Sequence, residues 1–278
     1  MTIRSFVAPL AMTIWASVYG TSVFANGPWP APANEPSSFE NAPLDIKGAA
    51  MTMSIQEVQA ALGGDLSNSE WRFFDKDRLS QQRLVRPDAG ILHINFSNTR
   101  QTKDDLQVIG SRWHTGNGIV RMTRRAVIRD ASQQPLVDNF LASVFEKYGQ
   151  SNTLDFIRGL PGLSNLSFEG FVWKFDGGHL SETCEIYALP NNLREVYQIP
   201  VEDLEGFVAD VETPEACDGY MEVFHSRTSA DTVSEYMIEI TDIRLLFADA
   251  LNDKRVEAHI QAYLENSLKS GNSNSPDL

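Results

Sequence analysis

The segment 135–149, PLVDNFLASVFEKYG, most constrains what this chain can fold into. Its apolar residues recur at helical spacing and form one broad stripe, made of Leu136, Val137, Phe140, Leu141, Val144 and Tyr148. Pro135 suits the first turn of a helix, where its missing N–H costs nothing, and Gly149 suits the left-handed residue just past the end. Strand-like segments lie on both sides of it, so we expect this helix to pack on a sheet.

Another helix is predicted at residues 54–62, because Ser54 and Glu57 match a capping box and Gly63-Gly64 can end the helix. Apolar and β-branched runs predict strands at 71–74, 83–86, 91–96, 106–114, 119–129, 171–175, 184–189, 196–199, 220–225 and 233–240. A last helical region is expected from Thr241 or Asp242 to about Lys269. Asn252 and Asp253 are expected to break or bend it, since their side chains compete for backbone hydrogen bonds.

These elements predict an α+β fold in which helices pack on an antiparallel sheet. A helix followed by a meander occurs twice, which is consistent with two tandem units. The first unit is expected at 44–130, the second at 131–269 with the C-terminal helix, and a loose polar tail at 270–278. With 278 residues, 42% of them hydrophobic, the chain can bury a core in one large domain or two small ones.

The N-terminus has the features of an export signal. Arg4 precedes an apolar run, and Val23-Phe24-Ala25 fits a peptidase site, so residues 1–25 are predicted to be a signal peptide cleaved after Ala25. An uncleaved membrane anchor is the alternative, although the run is short for a bilayer. Residues 26–43 are rich in Pro, Ala, Asn and Ser, and a flexible leader is expected there. We therefore expect a periplasmic or secreted protein with no stable membrane anchor after cleavage.

The formal net charge of −14 bears on partners. An acidic surface argues against nucleic acid and against anionic membranes, because both repel it. The same charge also serves an ordinary protein by keeping it dispersed. It leaves the oligomeric state open.

A tight turn at Thr115-Gly116-Asn117-Gly118 predicts a hairpin. With a two-residue turn, one face of this hairpin would display Arg112, His114, Arg121 and Arg125, whereas a three-residue loop would exchange the faces of one strand. The basic face is either a docking site for an anionic partner or a solvated face whose charges pair with nearby Asp and Glu. Exposed ion pairs are common, which favours the second interpretation.

Cys184 and Cys217 are the chain's two cysteines. In an oxidising compartment they most simply form one disulfide. A metal site is the alternative, but neither cysteine has a second Cys or a His at ligand spacing. We predict the disulfide and no metal site.

Motifs that would indicate catalysis are absent from the sequence. No His-x-x-x-His pair, Gly-x-Ser-x-Gly elbow, Walker loop or dinucleotide-binding glycine loop occurs. The sequence therefore names no catalytic residue and no cofactor, and leans against an enzyme.

Residues 51–64, MTMSIQEVQAALGG, resemble the opening of a family of small bacterial envelope proteins. The family includes the small outer-membrane-assembly lipoprotein and the secreted beta-lactamase inhibitory protein, whose shared fold packs helices on an antiparallel sheet. Ala50 stands where the family has Gly, and the lipidated Cys is missing. The Lys147-Tyr148-Gly149 motif, the cysteine pair and the terminal helix also resemble uncharacterised proteobacterial exported proteins.

This resemblance and the missing catalytic motifs predict a non-catalytic module that binds another protein of the cell envelope. Two alternatives stay open. One is a secreted hydrolase with a carboxylate-based site, and the other is a structural component of the envelope.

Overall fold

The computed structural model describes residues 33–39, 44–67, 73–75, 80–82, 90–97, 101–151, 168–186, 193–213 and 215–272, and confirms the α+β fold. The described strands are β1 (Asp45–Ile46), β2 (Ala49–Ala50), β3 (Asp65–Ser67), β4 (Phe73–Asp75), β5 (Ser80–Gln82), β6 (Ile91–Asn95), β7 (Thr102–Gly110), β8 (Ile119–Ile128), β9 (Phe168–Asp176), β10 (His179–Leu180), β11 (Gly219–Ser226) and β12 (Glu235–Asp242). The helices are α1 (Ile55–Leu62), α2 (Val137–Tyr148), α3 (Leu193–Val196), α4 (Val201–Asp210) and α5 (Ile243–Asn272). The predicted signal peptide at 1–25 and the predicted strand at 83–86 lie outside the described residues.

One antiparallel sheet joins the two predicted units. Its strand order is β10-β9-β11-β12-β8-β7-β6-β3, and the two halves meet where β12 pairs with β8. Helix α1 precedes the meander β6-β7-β8, and α2 precedes the strands β9, β11 and β12, so the last strands of both halves lie side by side at the centre. Main-chain hydrogen bonds therefore cross from one predicted unit to the other.

Helices α1 and α2 pack on one face of the sheet. Ser54 caps α1 as predicted: the Glu57 amide donates to the Ser54 hydroxyl at 3.3 Å, and the Ser54 amide donates to the Glu57 carboxylate at 2.7 Å. Phe140 and Val144 of α2 are buried in the same core. The Trp173 indole N–H donates to the Gly149 carbonyl at 3.1 Å, which fixes the end of α2 on β9. The helix predicted at 135–149 is confirmed, although its first helical residue is Val137.

Helices α3, α4 and α5 cover part of the opposite face. The strand predicted at 196–199 is wrong, because Val196 ends α3 and Pro200 caps α4. Leu204 of α4 is fully buried against α5, where Phe207 stacks on Phe247 at 5.2 Å. The apolar residues of α4 recur at the spacing of an amphipathic helix. In the sequence, short strand-like runs around the proline hid this spacing.

Helix α5 continues without interruption through Asn252 and Asp253, where a break or bend was predicted. Asp253 pairs with the Arg112 guanidinium, so its carboxylate does not compete for the helix backbone. Val256 and Ile260 continue the buried stripe beyond this point. The helix reaches Asn272, so residues 270–272 of the predicted tail are helical, and 273–278 lie outside the described residues.

The predicted hairpin is confirmed, because β7 and β8 pair antiparallel, but its two-residue turn is wrong, because β7 ends at Gly110 and β8 begins at Ile119. A one-turn 3₁₀ helix, Trp113–Thr115, lies between the two strands. Asp249 of α5 accepts a hydrogen bond from the Arg112 amide at 2.8 Å, which holds this connection away from the strands. In the observed register Val108 faces Met122, so the faces of β7 are exchanged relative to the two-residue-turn prediction.

Two further predictions concern the disulfide and the leader segment. The disulfide Cys184–Cys217 is confirmed. Beside it, the Cys217 amide donates a hydrogen bond to the Glu185 carbonyl at 2.9 Å. Residues 33–39, within the predicted flexible leader, lie against the folded domain, because Phe39 is fully buried in the main core. These seven residues are therefore part of the folded structure.

Candidate functional site

The structure divides the four residues of the predicted basic face into two pairs. Arg121 and Arg125 lie on β8, on the face opposite α1 and α2. Each pairs with a glutamate of β12: the Arg121 Nε lies 3.4 Å from Glu239, and Arg125 donates to Glu235 at 2.6 Å. Their charges are thus balanced within the sheet, as the solvated-face interpretation predicts.

Arg112 and His114 lie in the connection between β7 and β8, inside a buried polar network. Asp249, fully buried on α5, accepts hydrogen bonds from the Arg112 amide at 2.8 Å and from the Tyr197 hydroxyl at 2.6 Å. The His114 Nε2 lies 3.9 Å from Asp249, and the Arg112 guanidinium lies over the Tyr197 ring at 4.4 Å. Burial of Asp249 raises its pKa, and the Tyr197 hydroxyl and Arg112 oppose this shift. The network anchors α5 to the connection between β7 and β8, and it leaves His114 only 1% exposed and the Arg112 side chain 23% exposed.

A row of polar residues crosses the sheet on the face opposite α1 and α2. Directly paired residues of neighbouring strands point to the same side of a sheet. By this pairing, six residues on β3, β6, β7, β8, β12 and β11 form a continuous line, which we name the polar row: Asp65, His93, Gln107, Thr123, Glu239 and Glu222.

Four of the six residues of the polar row line a depression of about 580 Å³, which we name the sheet depression. Its lining includes Asp65, His93, Asn95, Gln107, Thr123 and Arg125. Lys103 and Asp105 also line it and form an ion pair at 3.0 Å. The sheet depression therefore presents charges of both signs together with neutral hydrogen-bonding groups.

The remaining two residues of the polar row are a pair of carboxylates. Glu222 of β11 faces Glu239 of β12, and Thr123 donates its hydroxyl to Glu239 at 3.0 Å. The pKa of Glu222 is raised to about 7, by burial first and by the negative charge of Glu239 second, while Arg121 opposes the shift. Burial likewise raises the pKa of the neighbouring Tyr220 to about 12. Near neutral pH, Glu222 can thus hold or release a proton beside a second carboxylate.

Sequence reasoning did not identify Glu222 and Glu239. Each is a charged residue inside an otherwise apolar strand, which is a signal, but numerous carboxylates in the chain have similar surroundings. What makes the pair is the register of β11 with β12, in which Glu222 faces Glu239. No local pattern in the sequence sets that register.

Among the residues that the structure describes, no group of three or more His, Cys, Asp or Glu side chains is placed to hold a metal ion. No helix within the described ranges is long and apolar enough to cross a membrane.

Comparison with protein-family models, with curated proteins and with solved structures finds no match to this chain. The resemblance of residues 51–64 to small envelope proteins therefore stays a prediction.

Proposed function

We propose that this protein is a non-catalytic binding module and that it recognises another protein of the cell envelope through the sheet depression. The observation that supports this is the asymmetry of the sheet. One face is buried under α1 and α2, whereas the β3-β6-β7-β8 part of the other face is polar and concave. Its mixed charges suit a partner surface that also presents both signs, because such complementarity gives specificity.

The dimensions of this surface indicate a weak, reversible complex. Strand β7 has nine residues, about 30 Å at about 3.3 Å each, and four neighbouring strands span about 15 Å. Because β3 and β6 are shorter than β7, the resulting area is at most about 450 Å², below the roughly 800 Å² that each partner of a stable complex buries. We therefore expect the module to bind its partner transiently, or to enlarge the interface with contacts from the neighbouring carboxylate pair.

Site-specific cross-linking tests this proposal. A photoreactive residue at Gln107, in the sheet depression, should give a defined adduct with an envelope protein, and the same residue at the exposed Glu146 of α2 should not. Arg125→Glu should abolish the adduct, whereas the matched charge reversal Arg255→Glu on α5 should leave it unchanged. Identical adducts from both positions, or none from Gln107, would contradict the proposal.

A second candidate function is hydrolysis by the carboxylate pair. The specific observation in its favour is that Glu222, with a pKa near 7, can donate a proton while Glu239 lies opposite it. A general acid is most effective when its pKa lies near the working pH. Turnover of model glycosides or esters should then be lost in Glu222→Gln and retained in the control Glu257→Gln. A pure preparation without turnover, or turnover that survives Glu222→Gln, would remove this candidate.

Export is part of the proposal. The disulfide Cys184–Cys217 supports an oxidising compartment, since such bonds are rare in the cytoplasm. The predicted signal peptide supplies the route, with cleavage after Ala25. N-terminal sequencing of the protein recovered from the periplasm or the medium should begin at Asn26. A mature fraction that retains Met1 would contradict the export prediction without bearing on the binding surface.

A further inference from the structure

Residues 33–39, which we name the strap, lie across the end of the sheet and belong to none of its strands. The Ala33 amide donates to the His114 carbonyl at 2.6 Å, and the Glu35 amide donates to the Thr115 carbonyl at 3.1 Å. The Glu35 amide also donates to the Ala33 carbonyl at 3.1 Å, so the chain makes a three-residue turn here. The first part of the strap is thus held by its backbone, independently of its side chains.

The second part of the strap binds a buried carboxylate. Asp242 lies at the junction of β12 and α5, and the Leu245 amide donates to it at 2.9 Å. The Ser37 hydroxyl at 2.9 Å and the Ser38 amide at 2.8 Å donate to one oxygen of Asp242, and the Ser38 hydroxyl donates to the other at 2.8 Å. Two adjacent serines thus satisfy a charge that the fold buries.

The last residue of the strap fills an aromatic pocket. The Phe39 ring meets the Phe175 ring edge-on, with centroids 5.3 Å apart. A Cβ on Gly219 would lie 2.4 Å from the Phe39 Cζ, so only glycine leaves room for the ring at this position. The pocket is therefore shaped by β9 and β11 to accept an aromatic side chain.

Burial is concentrated in two residues of the strap. Residues 33–36 are exposed, whereas Ser38 and Phe39 are buried. Short peptides that bind grooves show this distribution, with backbone hydrogen bonds along the chain and a few side chains in pockets. The receiving groups, Asp242 and the pocket beside Gly219, belong to the folded sheet and α5.

We infer that this end of the sheet is a binding site for a short peptide with two consecutive hydroxyl side chains followed by an aromatic residue, and that the strap is its displaceable resident. The site is separate from the sheet depression and does not rest on the proposed function. When the strap is displaced, the site becomes accessible to a segment of another chain that carries the same pattern of side chains.

Hydrogen exchange on the full chain tests whether the strap is displaceable. The Glu35 and Ser38 amides should exchange through local opening, at least about a hundredfold faster than the Ile240 amide of the central strand pair. This result would show that the strap leaves while the sheet stays folded. Exchange of the Ser38 amide only at the rate of global unfolding, equal to that of Ile240, would overturn the inference.

Binding in trans tests the recognition itself. A fluorescent peptide of residues 33–39 should bind the full-length Phe39→Ala chain, whose own strap has lost its anchor, about thirtyfold more tightly than it binds the unmodified chain. A peptide with Phe39→Ala should not bind, and one with Glu35→Ala should bind normally, because Glu35 contributes only its backbone. A folded Phe39→Ala chain that fails to bind the unmodified peptide would refute the site. If that chain does not fold, the exchange rates of the unmodified protein decide the question.

Discussion

Replacing Glu222 by glutamine tests the electrostatics of the polar row most directly. The pKa of Glu222 is raised from its ordinary value of 4.5 to about 7 in the folded protein, by burial first and by Glu239 second. The folded protein thus holds this proton more tightly than the unfolded chain does. The free energy of unfolding must therefore fall as the pH rises from about 4.5 to about 7, and the loss is complete above pH 7.

The size of this loss follows from the two pKa values. A difference of about 2.5, at about 1.4 kcal/mol for each pH unit, gives at most about 3 kcal/mol. Glutamine has nearly the same shape and never ionises, so Glu222→Gln should be more stable than the unmodified protein by up to this amount at pH 8. The two proteins should be about equally stable near pH 4.5. For a chain of this size the gain at pH 8 corresponds to about 5–10 °C in Tm.

Denaturant unfolding at pH 5, 6, 7 and 8 measures the effect. Other buried acids also titrate in this range: burial and the charge of Asp242 raise the pKa of Asp218 to about 6. The difference between the unmodified protein and Glu222→Gln cancels their contribution, and Glu257→Gln on the exposed face of α5 serves as the matched control. Glu239→Gln removes the facing charge and should lower the folded pKa of Glu222, so the loss should still begin near pH 4.5 but be complete at a lower pH and be smaller.

The reasoning fails if Glu222→Gln is no more stable than the unmodified protein at pH 8. It also fails if the difference between the two proteins is independent of pH, because a packing effect would give that result. Carboxyl NMR of Glu222 titrating near pH 4.5 would contradict the burial argument itself.

Three further predictions concern the disulfide, the strap pocket and the buried network. We expect a loss of about 3–4 kcal/mol of stability in Cys184→Ala, in Cys217→Ala and in the double variant, because all three remove the same link across 33 residues. Two titratable thiols in exported, unreduced protein would contradict the disulfide prediction. Gly219→Ala should cost about 1–3 kcal/mol by thermal unfolding, since the new methyl group meets the Phe39 ring. An unchanged melting temperature would show that the ring is not held there. Asp249→Asn should cost about 1–3 kcal/mol in denaturant unfolding, because it replaces the charged acceptor of the Arg112 amide and the Tyr197 hydroxyl by a neutral one. An unchanged stability would mean that a neutral amide side chain satisfies both donors equally well.

The sequence by itself determined the local elements with strong signals. The capping box at Ser54, the amphipathic stripe of α2 and the β-branched strands of the sheet depend on residues that lie within a few positions of each other. The disulfide was also predictable, because two cysteines in a chain predicted to be exported have one simple pairing.

The tertiary structure alone decided how these elements combine. The pairing of β8 with β12, which joins the two halves, brings Thr123 opposite Glu239 across more than a hundred residues. Asp249 accepts a hydrogen bond from the Arg112 amide and so holds Arg112 outside the predicted basic face. The strap is bound by Asp242, which lies over two hundred residues away along the chain. The physical reason is that burial, not sequence proximity, sets the energy of these charges, and burial exists only once distant segments have packed.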